Sequence, residues 1–139
     1  MQSIEKPTRV AVAIVEHAGR YLVGVRPDNV PLAGFAEFPG GKVYDDETAV
    51  EAAARECREE TGLQVAVERE FFSTTHCYDH GLLEIQFFFC RLAGGERSRP
   101  ISPFRWVTAE ELAILEFPAA NAAVTKMLLG KASPAHQST

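Results

Sequence analysis

The sequence predicts an α/β domain in which a mixed β-sheet is flanked by helices. Two observations carry this expectation. Short β-branched apolar runs recur along the chain, and helical segments fall between them without the regular alternation of a βαβ repeat. One segment, Thr48–Thr61, carries signals for both ends of a helix. The 139 residues, 46% hydrophobic and 24% charged, suffice for one globular unit with its own core. The expectation is therefore one domain over residues 1–139, ordered from about 8 to about 130.

Taken in order, Arg9–Glu16 (RVAVAIVE) and Tyr21–Val25 read as strands joined by a hairpin turn at His17–Arg20. Arg26–Gly41 has no helical period and is punctuated by Pro27, Pro31, Gly34, Pro39 and Gly40, so it reads as a functional loop. In the helix that follows, Thr48 and Glu51 have the spacing of a capping box, and Gly62 suits a left-handed cap. Val50, Ala53, Ala54 and Cys57 recur at helical spacing and predict its buried stripe. Leu63–Arg69, Phe71–His76, Leu82–Leu92 and Phe104–Val107 have strand character. Thr108 caps a short helix, and Ala119–Leu129 reads as the last one. Trp106 and Phe87–Phe89 are assigned to the core, and the polar tail Lys131–Thr139 to a frayed end.

A net charge of −5 argues against a nucleic-acid polymer as partner, because such binding rests on Lys and Arg neutralising phosphates. A small phosphorylated ligand is compatible where a metal or a local basic pocket screens it. Cys57, Cys77 and Cys90 form no CxxC pair and suit a reducing compartment. The segment MQSIEKPTRV has no apolar h-region, and no window approaches about 18 apolar residues. A cytoplasmic protein, neither secreted nor membrane-spanning, is expected.

The chemistry concentrates between Gly41 and Leu63. Glu56, Glu59 and Glu60 lie at i, i+3 and i+4, clustered on a face about 100° from the apolar stripe. Such like charges cost a few tenths of a kcal/mol per pair, and the helix dipole disfavours anions at this end. A divalent cation would relieve both penalties, and hard oxygen ligands select Mg²⁺ or Mn²⁺. A plain solvated acidic face gives the same pattern. Upstream, Phe38-Pro39-Gly40-Gly41-Lys42 adds glycines that admit close backbone approach and a lysine that can meet phosphate. Glycines, lysine and carboxylates together are the parts of phosphoryl chemistry.

The run GKVYDDETAVEAAARECREETGL resembles the Nudix box, G-x5-E-x7-R-E-U-x-E-E-x-G-U with U apolar. It matches at Gly41, Glu47, Arg55, Glu56, Cys57, Glu59, Glu60, Gly62 and Leu63. A chance match in a chain of this length is about one in a million at average residue usage. Cys57 stands where the family usually has Leu, Ile or Val, and a buried cysteine behaves as a small hydrophobe. The resemblance implies an α/β/α sandwich and a metal held by Glu56, Glu59, Glu60 and the Gly41 carbonyl. It also implies a Glu56 or neighbouring carboxylate base, Arg55 orienting a box glutamate, Glu47 fixing the loop, and Lys42 at phosphate.

Beyond the box, Glu37-Phe38-Pro39-Gly40-Gly41-Lys42 and Phe117-Pro118-Ala119-Ala120-Asn121 resemble the MutT-like 8-oxo-dGTP diphosphatases. That likeness implies base reading by Asn121, a stacking wall from Phe38 and a base or phosphate contact from Arg26. From the residues alone, Asn121 is equally a helix N-cap and Phe38 equally plain core. His76 and His80 are either substrate-lining or exposed strand-end residues; with Cys77 and Asp79 they fit no four-ligand zinc spacing. One departure stands out. The family often carries a metal-ligating Glu just before a tryptophan, and here Arg105 precedes Trp106. Glu84 or Asp79 could contribute in its place.

The resulting expectation is Mg²⁺-assisted attack of water on a (d)NTP, giving the monophosphate and pyrophosphate, with an oxidised guanine nucleotide favoured. The partner is a small-molecule nucleotide, and the protein a monomer or homodimer. The rivals are another Nudix specificity ((d)CTP, ADP-ribose, NADH or a dinucleoside polyphosphate) and a non-catalytic nucleotide-binding domain.

Overall fold

The computed structural model describes residues 6–79, 81–94 and 99–132; His80 and the tail from residue 133 lie outside them. The chain runs β1 (Thr8–His17), β2 (Arg20–Val25), β3 (Ala36–Glu37), β4 (Gly40–Lys42), α1 (Ala49–Thr61), β5 (Val65–Tyr78), β6 (Gly81–Leu92), β7 (Arg105–Val107), α2 (Ala109–Ile114) and α3 (Ala119–Ala132). The sheet has the order β3-β2-β1-β6-β5, with β4 also on β1 and β7 also on β2. It is mixed: β1 and β6 are parallel over eight residue pairs, and the other pairings are antiparallel.

Alternation along β1 builds two cores. Ala11, Ala13 and Val15 join Phe88 and Cys90 beneath Ala49, Ala52, Ala53 and Cys57 of α1. Val12 and Ile14 join Ile85, Phe87 and Phe89 on the other face, covered by Leu112 of α2 and by Val124 and Leu128 of α3. The three consecutive phenylalanines are thus shared between the faces, and the α/β/α sandwich holds. Trp106 packs partly buried at the rim of the α1 core, with its ring 5.7 Å from that of His17.

The hairpin turn takes Ala18 and Gly19 at φ 52° and 78°, the left-handed pair a two-residue turn requires. Thr48 and Glu51 form the expected capping box, and Gly62 closes the helix at φ 80° with its N–H donating to the Arg58 carbonyl. Thr108 and Glu111 repeat the box at α2.

Three expectations are corrected. The buried stripe of α1 is Ala49, Ala52, Ala53 and Cys57, whereas Val50 is 45% exposed and Ala54 only half-buried. In so alanine-rich a helix, hydrophobic contrast between faces is too small to fix the rotation from sequence. The two strands expected across Leu63–His76 are one 14-residue strand, bulged between Val67 and Arg69 and between Glu70 and Phe72. The loop 26–41 contains β3 and reaches into β4, elements too short to carry a period.

Candidate active site

The glycine segment is stitched to β1. The Ala13 N–H donates to the Pro39 carbonyl at 2.8 Å, Gly41 pairs with Ala11, and the Val43 N–H donates to the Arg9 carbonyl at 2.9 Å. Helix α1 lies directly over this segment. A Cβ at Gly40 would come 2.6 Å from the Ala11 carbonyl oxygen, and one at Gly41 would sit 2.5 Å from the carboxyl carbon of Glu56. The glycines are there because a carboxylate and a neighbouring backbone occupy that space.

Two of the three box glutamates meet at this point. Glu56 and Glu60 continue the line of Ala49, Ala52 and Ala53 along the helix, so they extend the buried face rather than occupy a separate one. Their carboxyl groups adjoin, and the Gly40 N–H donates to Glu60 Oε1 at 3.2 Å. Burial pushes the Glu60 carboxyl up to about 8 against the Gly40 hydrogen bond, with Glu56 and Glu37 adding like charge. Glu59 is elsewhere: it is 51% exposed and pairs with Arg55 at 3.1 Å.

Arg55 is the hub. It donates to both oxygens of Glu47 at 2.7 and 3.0 Å, to Glu56 at 3.2 Å, to Glu59 at 3.1 Å and to the Lys42 carbonyl at 3.0 Å. Its guanidinium lies 3.9 Å from the centroid of the Tyr44 ring. Glu47 also accepts from the Tyr44 N–H at 3.0 Å, and the Arg55 hydrogen bonds hold its carboxyl below the ordinary range. One planar cation thereby ties loop to helix and offsets charge that the glutamate spacing alone leaves in conflict.

A second group of residues lines up along β3. Arg26 Nε donates to the Pro31 carbonyl at 2.9 Å, and its guanidinium pairs with Glu37 at 3.5 Å. Burial raises the Glu37 carboxyl, with Arg26 opposing. The Ala36 N–H donates to the Glu116 carbonyl at 2.7 Å, tying β3 to the segment before α3. Phe38 is 5% exposed, a core residue stacked on Phe117 with centroids 4.9 Å apart. The more exposed ring of the stack is Phe117, so Phe117 rather than Phe38 presents the aromatic face. Asn121 is not an N-cap: it lies in the first turn of α3, half-buried, its N–H donating to the Pro118 carbonyl at 2.8 Å.

Lys42 is exposed at the end of β4, and His76 is exposed opposite Leu83 at the far end of β5; the reading of His80 lies outside the described residues. Arg105 turns to Glu111 of α2 at 3.9 Å. Glu84 lies in β6 beside Arg9, away from the carboxylate pair in register, and Asp79 is an exposed turn residue. Sequence reasoning gave no role to Glu37, though it stood in the quoted motif, or to Tyr44. Each stands within or beside the glycine-lysine run, which was the only signal for them.

Among the described residues no three His, Cys, Asp or Glu side chains converge as a ready-made metal cage. The donors at Glu56, Glu60 and the glycine turn are oxygens only, and the adjacent Cys57 thiol is buried in the core and pushed up to about 11 by that burial. Such a set fits a hard cation that keeps part of its water shell, as Mg²⁺ does.

A carboxylate pair on a helix, held over a glycine turn by one arginine, is an arrangement of the kind metal-assisted phosphoryl chemistry uses. Comparison with known proteins makes the class specific. The chain belongs to the Nudix family: the family's NUDIX domain matches residues 10–127. It is 36% identical over 137 residues to the putative 8-oxo-dGTP diphosphatase 2 of Mycobacterium tuberculosis (strain H37Rv), covering 92% of this chain and 94% of that protein. It is 44% identical over 62 residues to the CTP pyrophosphohydrolase of Escherichia coli (strain K12), a match to 45% of this chain and 46% of that protein. The solution structure of MutT from Staphylococcus aureus superimposes with a TM-score of 0.74 at 27% identity, covering 92% of this chain and 99% of that one. The protein is thus a MutT-like Nudix hydrolase, acting on nucleoside diphosphate-linked small molecules. No helix among the described residues is long and apolar enough to cross a membrane.

Proposed function

We propose that the protein is a Mg²⁺-dependent nucleoside triphosphate pyrophosphohydrolase that cleaves 8-oxo-dGTP to the monophosphate and pyrophosphate. The observation that carries this reading is the Phe117 ring, stacked on buried Phe38, four residues before half-buried Asn121 in the first turn of α3. An aromatic face together with an amide that both donates and accepts suits a purine base. Curated relatives named as 8-oxo-dGTP diphosphatases favour it over other specificities. The free thiols Cys57, Cys77 and Cys90 suit a reducing cytoplasm.

Glu56, Glu60 and the glycine turn would hold a divalent cation, which would neutralise phosphate charge and make an attacking water more acidic. Glu56, held by Arg55, would take the proton of the attacking water, and Glu59 on the exposed side of α1 would complete the carboxylate set. Arg26, braced by Glu37, contacts the base or phosphates. A second reading, a (d)CTP pyrophosphohydrolase, rests on the 44% identity over 62 residues.

The test is pyrophosphate release with Mg²⁺ from 8-oxo-dGTP, dGTP, dCTP and ADP-ribose, for the wild type and Asn121→Ala. A kcat/KM for 8-oxo-dGTP at least about tenfold above the others, lost in Asn121→Ala, is expected from one buried polar contact. A profile led by dCTP, or unmoved by Asn121→Ala, would discard the oxidised-purine reading.

A further inference from the structure

Arg55 has no N–H left to give. Its Nε and Nη2 bond to Glu47, Nη2 also to the Lys42 carbonyl, and Nη1 to both Glu56 and Glu59. Those bonds use every donor that a guanidinium carries, so only its two faces remain to meet anything else.

The Tyr44 ring covers one of those faces, with the guanidinium carbon 3.9 Å from the ring centroid. Hydrophobic burial does not explain why the ring stands there, since Tyr44 is 53% exposed. The backbone does. The Tyr44 N–H donates to Glu47 Oε1 at 3.0 Å, and the Glu47 N–H donates back to the Tyr44 carbonyl at 3.2 Å. Tyr44 is thus tied, on both sides of its Cα, to the same glutamate that grips Arg55. The ion-pair network itself is largely out of water, with Arg55 and Glu56 each 14% exposed and Glu47 12%.

We propose that Tyr44 is a positioning residue of the hydrolytic centre, holding Arg55 by its ring face so that Arg55 can hold Glu56. The inference rests on the reading of Glu56 as the base and adds a residue that the box pattern leaves free, since position 44 falls among the x residues between Gly41 and Glu47. Two bonds to Glu47 fix one edge of the guanidinium but leave its plane able to swing about that edge. Such a swing lifts Nη1 from Glu56, whose bond at 3.2 Å is the longest that Arg55 makes. A ring against the face opposes the swing, because the cation is drawn to the negative face of the π system and the ring keeps water off it. Removing the ring leaves every hydrogen-bonding group in place and loosens only their aim.

The test compares wild type, Tyr44→Ala and Tyr44→Phe, each loaded with Mg²⁺. Kinetics use whichever of 8-oxo-dGTP, dGTP, dCTP and ADP-ribose the wild type cleaves fastest. In Tyr44→Ala, kcat should fall about tenfold with KM within about twofold, the effect of losing a largely desolvated cation–π contact. Tyr44→Phe, which keeps the ring, should recover at least about half of the wild-type kcat. In parallel, NMR follows exchange of the Arg55 Nε–H with water, which should quicken at least about fivefold in Tyr44→Ala and hold in Tyr44→Phe. A kcat within about twofold of wild type in Tyr44→Ala overturns the proposal, as does a loss carried by KM, which would make Tyr44 a substrate contact. Tyr44→Phe as slow as Tyr44→Ala overturns it too, by moving the role to the hydroxyl. If circular dichroism shows Tyr44→Ala unfolded, Tyr44→Leu, which keeps bulk without a ring face, takes its place under the same limits. A wild type that cleaves none of the four nucleotides refutes the proposed function, and the exchange rates then decide on Tyr44 alone: unchanged exchange in Tyr44→Ala overturns its hold on Arg55.

Discussion

Adding one methyl group at Gly41 tests the geometry most directly. Gly41 is not among the glycines with positive φ, so alanine fits its backbone and any effect is steric. The new Cβ would lie 2.5 Å from the carboxyl carbon of Glu56, where ordinary carbon contacts begin at about 3.5 Å. The carboxylate must therefore retreat by about 1 Å, since the strand beneath is held by the Gly41–Ala11 pairing and the flanking bonds to β1. A misplacement of about 1 Å in a reacting group costs on the order of a hundredfold in rate, or about 2.7 kcal/mol. Gly41→Ala should accordingly lower kcat for the preferred nucleotide about a hundredfold with little change in KM, read by a pyrophosphate-release assay. Circular dichroism and a thermal melt would establish that the fold is kept. A folded Gly41→Ala protein with kcat within threefold of wild type would refute the claim that Glu56 acts from above this glycine.

Glu56→Gln should cut kcat by at least about a hundredfold; because it removes one of two adjoining carboxylates, the thermal midpoint should hold or rise, and near-normal turnover would move the base elsewhere. The Glu60 carboxyl, raised from 4.5 to about 8, makes the metal-free protein pH-sensitive. The folded state keeps a proton that the unfolded chain has shed, so this stabilisation is fully present below 4.5 and is lost as pH rises through about 8. Melts in EDTA should show a lower midpoint at pH 9 than at pH 6, while Mg²⁺ affinity by calorimetry should rise over the same interval as the proton leaves. Equal midpoints and equal affinities would contradict the buried carboxylate pair. Arg105→Ala should leave kcat and Mg²⁺ affinity unchanged and cost at most about 0.5 kcal/mol, since the side chain is half exposed and pairs at 3.9 Å with Glu111; a loss of metal affinity would bring Arg105 into the site.

How much of this was legible in the chain depended on whether a feature is written locally. The helix ends were, because Thr48, Glu51 and Gly62 act within four residues of themselves. The resemblance implied separately that Arg55 orients a box glutamate and that Glu47 fixes the loop; the structure places the two 2.7 Å apart. The rotation of α1 could not be read, since Val50 lost its place in the core to alanines that fit closer against β1. That rotation is what carries Glu56 and Glu60 toward the glycine turn and leaves Glu59 with Arg55. Phe38 and Phe117 were each visible as aromatics, but which of the two is covered depends on α3 folding back across the sheet.

The parallel pairing of β1 with β6 has a consequence of another kind. Parallel neighbours cannot be joined by a tight turn, so the chain leaves β1 and makes a long excursion before it returns as β6. The glycine segment, α1 and its glutamates all lie within that excursion. The central strands must therefore find each other across the very stretch that carries the proposed site, a non-local closure that is slow relative to helix formation. No fragment lacking either strand could hold a carboxylate over Gly41, and turnover in this protein reports on the integrity of the whole chain rather than on the box by itself.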